Sequence, residues 1–91
     1  MNKTRRSILS KKVSELETLK SQLEDIKSDI DSVYDEEDDA FYSMPDSLQG
    51  SERGETMQEN MDNLDEAYSN LDDIFSNLDD VIDTLNEVIE R

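Results

Sequence analysis

The 91-residue sequence contains no cysteine, no histidine and no tryptophan. Without cysteine there is no disulfide framework and no thiolate nucleophile; without histidine there is no imidazole base and no ordinary zinc site. Most catalytic constellations are thereby excluded. Glycine occurs twice and proline once, so chain reversals have few places to form. Aromatic residues make up 5% and charged residues 37% of the chain, a profile of long helices rather than of a sandwich or an α/β domain. No apolar run approaches the ~20 residues of a membrane span. The start, with Lys3, Arg5 and Arg6, lacks the apolar core of a signal peptide. A soluble, intracellular protein is expected.

Lysine and arginine are also scarce, nine against 25 acidic residues, for a net charge of −16. The imbalance is local. Residues 1–20 hold six basic and two acidic side chains, whereas the remainder holds three basic and 23 acidic. A body this acidic repels nucleic acid and anionic membrane, so neither is expected as a direct partner; basic protein surfaces are.

What the chain has in abundance is heptad periodicity. Met61, Leu64, Tyr68, Leu71, Phe75, Leu78, Ile82, Leu85 and Ile89 alternate spacings of three and four, the mark of one helical face repeating every 3.5 residues. With Met61 at position a, the leucines fall at d, and Ala67, Ile74, Val81 and Val88 form a third apolar column at g. That stripe is wider than one neighbouring helix can cover. The heptad also runs through the first half, with Leu9, Leu16, Leu23 and Ile30 at a and Leu19, Ile26 and Val33 at d. Lys12 at d and Glu37 at a weaken this seam at its ends.

The only proline and both glycines lie in 44–54, beginning Met44-Pro45 and ending Arg53-Gly54. The chain is therefore read as an all-α, single unit over 1–91: a helix over about 4–43, a loop over about 44–53 and a helix over about 54–90. Ser51, or Thr56 with Glu59 as a capping box, is the candidate start of the second helix. Leu48 is the candidate plug for the loop end.

Reversal near residue 49 makes the two helices an antiparallel coiled-coil hairpin in one favoured register. Position a of one helix pairs with d of the other, setting Leu23 with Leu78, Ile30 with Leu71, Leu19 with Ile82, Ile26 with Phe75 and Val33 with Tyr68. The e columns then face each other, bringing Lys20 to Asp79, Lys27 to Asp72 and Tyr34 to Asp65. Charge and apolar pattern agree on that register. On the opposite side, Ala67, Ile74, Val81 and Val88 would face Glu15, Gln22, Asp29 and Glu36, so the apolar column needs another cover. Small scaffolds without disulfides or metal commonly oligomerise, and dimerisation into a four-helix bundle is expected; docking of a target helix is the alternative. The basic N-terminal residues are expected to lie against Asp83, Glu87 and Glu90.

The loop region, with Glu36-Glu37, Ala40, Met44-Pro45, Ser47-Leu48-Gln49, Ser51-Glu52-Arg53-Gly54-Glu55, Met57 and Asn63-Leu64, resembles small acidic two-helix proteins of unknown function encoded in phages and mobile elements of Gram-positive bacteria. The resemblance covers roughly the second two thirds of the chain. It implies a bacterial cytoplasmic setting and brings no functional residues with it.

Function then has to be read from the charge. Paired carboxylates act as acid and base only where a pocket separates their pKa values, and solvated helix positions have none, so no enzyme is expected. Asp31 with the run Asp35, Glu36, Glu37, Asp38 and Asp39 could attract divalent cations but lacks the glycine and spacing of a calcium loop; no dedicated metal site or cofactor is expected. The same run, with Asp65/Glu66, Asp72/Asp73 and Asp79/Asp80 at positions e and f, forms a candidate face for a basic partner. Two acids per heptad give one charge per roughly 5 Å of helix, against one per about 3.4 Å for a DNA strand. An inhibitor occupying the nucleic-acid site of a defence or DNA-handling protein, of the anti-CRISPR or anti-restriction type, fits that partial match. A structural coiled coil acting by homo-oligomerisation or apolar docking, its acids only a solvated face, is the rival.

Overall fold

A computed structural model describes all 91 residues. Helix α1 spans Lys3–Tyr42, a single turn α2 spans Asp46–Gln49, and helix α3 spans Glu52–Glu90. Forty helical residues rise about 60 Å. Two such helices end to end would reach nearly twice that, yet the molecule is 69 Å long and 15 by 13 Å across. The chain doubles back into an extended, hairpin-like rod. Its radius of gyration, 20.3 Å, far exceeds the ~12 Å of a compact chain of this length.

Both long helices start on side-chain caps. Asn2 Oδ1 accepts the Arg5 amide at 2.8 Å, and Ser51 Oγ accepts the Gly54 amide at 3.4 Å, each satisfying an amide without an intrahelical partner. Of the two candidate caps, Ser51 is used. Thr56 lies inside the helix, its hydroxyl donating to the Glu52 carbonyl at 3.0 Å. Helix α3 therefore begins two residues before the sequence boundary, and a turn of helix occupies the expected loop.

The reversal uses no left-handed residue, glycine included. Pro45 has no amide to extend α1 and instead starts α2, its carbonyl accepting the Leu48 amide at 2.8 Å. Gln49 Nε2 donates to the Met44 carbonyl at 3.1 Å, tying α2 to the end of α1. Gly54 serves close approach rather than turning. A Cβ there would stand 2.0 Å from the Gln49 carbonyl oxygen, so any side chain would push α2 off α3. Leu48 does not plug the end; it is 48% exposed. The closure falls to Phe41, Met57 and Met61, packed with Tyr34 and Met44. Each of the three contributes about 1.5–3 kcal/mol through burial.

Beyond that cluster the only buried side chain is Ile82. The inner face of α3 is the a/d face read from the sequence: Leu64, Tyr68, Leu71, Phe75, Leu78, Ile82, Leu85 and Ile89 are all buried or half-buried. The inner face of α1 differs. Its covered apolar and lysine residues are Leu9, Val13, Leu16, Lys20, Leu23, Lys27, Ile30, Tyr34 and Phe41, which are positions a and e. Leu19, Ile26 and Val33 at d stay about half exposed. Expected layers such as Ile26 on Phe75 are therefore not closed. Replacing d by e turns α1 about 50° about its axis relative to the expected seam.

Candidate binding faces

The two lysines at e explain the turn. Lys27 Nζ donates to Asp72 Oδ1 at 2.6 Å, and Lys20 pairs with Asp79. These are the partners the register required. Both lysines also lie over aromatic rings: Lys20 Nζ is 5.0 Å from the Phe75 centroid, and Lys27 Nζ is 5.1 Å from Tyr68 and 5.2 Å from Phe75. A cation over a ring face gains about 0.5–2 kcal/mol, and the four-carbon stems cover apolar surface on the way. The two side chains are left 20% and 12% exposed, so they act as seam residues with a charged tip. The heptad register implies the ion pairs but not the ring contacts, for which Tyr68 and Phe75 at successive a positions beside the lysine column are the signal in the sequence.

The carboxylates hold these ammoniums in charged form. Both lysine pKa values are raised, first by the hydrogen bond to Asp79 or Asp72, with desolvation opposing. Tyr34 follows on the same flank. Its pKa is raised first by desolvation and then by Asp38, Asp65 and Asp62.

The pairing divides the acidic face. Asp72 and Asp79 are engaged within the hairpin, whereas Asp65, Glu66, Asp73 and Asp80 are exposed and make no ion pair. Along the middle of α3 the free acids thus fall to one per heptad. The loop end is different. Asp35, Glu36 and Asp39 are exposed and Asp38 half-buried, while Glu37 accepts from Asn60 Nδ2 at 3.4 Å. Residues 31–70 contain 13 acids and one basic residue, Arg53. They occupy about 30 Å of the rod, one net charge per roughly 2.5 Å. That density lies between a DNA strand and a duplex, with one charge per about 3.4 and 1.7 Å. The carboxylates are spread, and no group of three converges on a cation-sized point.

The opposite flank stays open. Ile74 and Val81 are 48% and 46% exposed, and Ala67 and Val88 are half-buried. In heptad geometry the d column of α1 borders this same flank, so Leu19, Ile26 and Val33 run alongside the g column of α3. The apolar stripe is thus composite, where the sequence reading placed it on one helix.

The basic N-terminus does not lie as expected. Lys3, Arg5, Arg6 and Lys11 make no ion pair with Asp83, Glu87 or Glu90, and Lys12 pairs with Glu15 on its own helix at 3.1 Å. The aligned columns explain this, since e to e contact carries the inter-helix pairs and only Arg6 among these residues is at e. No helix is long and apolar enough to cross a membrane. The chain matches no protein-family model, no curated protein and no solved structure.

Proposed function

We propose that the protein is a non-catalytic binding module: an antiparallel two-helix coiled-coil hairpin that self-associates into a four-helix bundle and offers its acidic loop end to a basic protein surface. The reversed order of the contacts, Lys20 to Asp79, Lys27 to Asp72 and Glu37 to Asn60, supports the antiparallel hairpin. The observation that carries the binding role is the charge density of residues 31–70, which approaches that of nucleic acid. The partner is then a protein whose own ligand is nucleic acid, and the resemblance to mobile-element proteins implies a defence or DNA-handling protein of a bacterial host. Asp35, Glu36, Asp38, Asp39, Asp65 and Glu66 are the contact residues of this reading; Asp73 and Asp80 add a thinner row along α3.

The test is capture of partners from a bacterial host with the native chain and with Asp35→Asn, Glu36→Gln, Asp39→Asn, Asp65→Asn and Glu66→Gln combined. Asp72 and Asp79 stay, because they hold the seam. The native chain is expected to retain a nucleic-acid-binding protein that salt or added DNA releases; the neutral variant is expected to lose it. A neutral variant that binds as well as the native chain reduces the acids to a solvated face. The second reading, a structural coiled coil acting through assembly, would then stand on the open apolar flank.

A further inference from the structure

We propose that two copies of the chain pack head to tail through the open flank, so that the basic first turns of one hairpin lie beside the acidic loop end of the other. The proposal rests on the self-association put forward above and adds the face, the orientation and the consequence.

The face is the composite stripe of Leu19, Ile26, Val33, Ile74 and Val81. All five are about half exposed, while the lysine flank on the other side is closed. The whole face of the rod that carries this stripe, 69 Å long and 15 Å wide, offers about 1,000 Å², with the apolar residues over about 21 Å at its middle. The usual share of one partner in a stable interface is about 800 Å². A second copy therefore has enough area to complete the core. Closing two hairpins over the stripe also gives four helices around one apolar centre, the arrangement that a third apolar column requires.

Orientation follows from where the charges lie. In the observed register residues 1–20 stand beside 79–91, and together they hold seven basic and seven acidic side chains, a net of zero. Residues 31–70 carry −12. Packing side by side in the same direction would bring two ends of −12 together. Packing head to tail brings each −12 end to a neutral one. The columns bordering the stripe match that choice in detail. Arg5 and Lys12 occupy position d at the free end of α1, while Asp29 and Glu36 occupy position g towards the loop end. Neither Arg5, Asp29 nor Glu36 has an ion-pair partner in its own hairpin, and Lys12 has only the exposed Glu15. A two-fold axis near Lys20 and Ser21 sets Arg5 of each copy against Glu36 of the other, and Lys12 against Asp29. The consequence is bivalency, since the two acidic ends then point to opposite ends of one rod.

The absence of cysteine makes the test direct. A single spin label on Ser47→Cys, at an exposed position of the loop end, reports the separation of the two loop ends by pulsed electron resonance. Head-to-tail packing predicts a separation close to the 69 Å length of the rod. A separation of about 10–20 Å, one or two inter-helix spacings, would overturn the orientation and leave self-association standing. A monomer by light scattering at several hundred micromolar would overturn both and assign the stripe to a different protein. The paired change Arg5→Glu with Lys12→Glu is expected to weaken the dimer at least tenfold, and Asp29→Lys with Glu36→Lys in the same chain to restore it. Failure of that rescue, with the hairpin still helical, would count against head-to-tail pairing.

Discussion

The two flanks of the hairpin solve the same problem with opposite chemistry. On one, Lys20 and Lys27 reach across the seam, cover Phe75 and Tyr68 with their stems and end on Asp79 and Asp72. On the other, Leu19, Ile26 and Val33 run beside Ile74 and Val81, and all five stay about half exposed. A long polar side chain closes a two-helix seam because one residue supplies both apolar cover and a solvated tip. A short aliphatic one cannot, and it leaves its flank of the seam exposed.

The largest expected effect comes from putting charge on the open flank. Ile74→Asp with Val81→Asp places acids beside Asp73 and Asp80 and removes the centre of the stripe, and sedimentation or light scattering is expected to show a dimer weakened by more than 100-fold. Persistence of the native dimer would mean that the flanks differ only in appearance. Next is Phe75→Ala on the closed flank, which removes the ring under both lysines. For a half-buried aromatic the loss of stability should be about 2 kcal/mol, below the 3–5 kcal/mol of a fully buried one, and thermal melting measures it. At the loop end, Gly54→Ala should cost about 1–3 kcal/mol through displacement of α2, with dimer orientation unchanged.

Alkaline pH acts on the closed flank. Lys20 and Lys27 have folded-state pKa values above their ordinary 10.5, and Tyr34 one above its ordinary 10.0. A raised pKa stabilises the fold below the unfolded-state value, and the contribution is lost as pH rises through the folded-state value. Helicity followed by circular dichroism should therefore be flat from neutral pH to about 10 and fall above it. In Lys20→Met with Lys27→Met the lysine part of that fall should vanish. The smallest effect is that of Lys27→Met at neutral pH, expected within about 1 kcal/mol of the native chain. Its carboxylate partner is 60% exposed, and methionine keeps the cover over the rings.

Salt separates the proposed contacts as well. Each chain carries −16, so screening should strengthen self-association, while the same screening weakens binding of the acidic loop end to a basic partner. Analytical ultracentrifugation and a competition assay across one salt series should move in opposite directions.

Much of the architecture was legible because it depends on repetition. Seven-residue spacing, one proline and two glycines are enough to give two long helices and the place of their reversal, and opposite charges at e select which residues meet. The acids of 35–39 were likewise visible as a charged run. Periodicity could not say which of two columns on α1 faces inward. Positions d and e lie on either side of a, and a rule that ranks leucine and isoleucine above lysine chooses d. The tertiary structure chose e, because Tyr68 and Phe75 on α3 offer ring faces to cations and Asp72 and Asp79 stand just beyond them. That contact exists only once the helices are side by side. It moved Leu19, Ile26 and Val33 to the surface, took Asp72 and Asp79 out of the free acidic face, and left Gly54 to be explained by the nearness of Gln49. The helices, the turn and the sign of the charge are set by local spacing and composition. Which side chains the seam consumes and which stay exposed is a property of the tertiary structure, since it depends on distances between residues far apart in the chain.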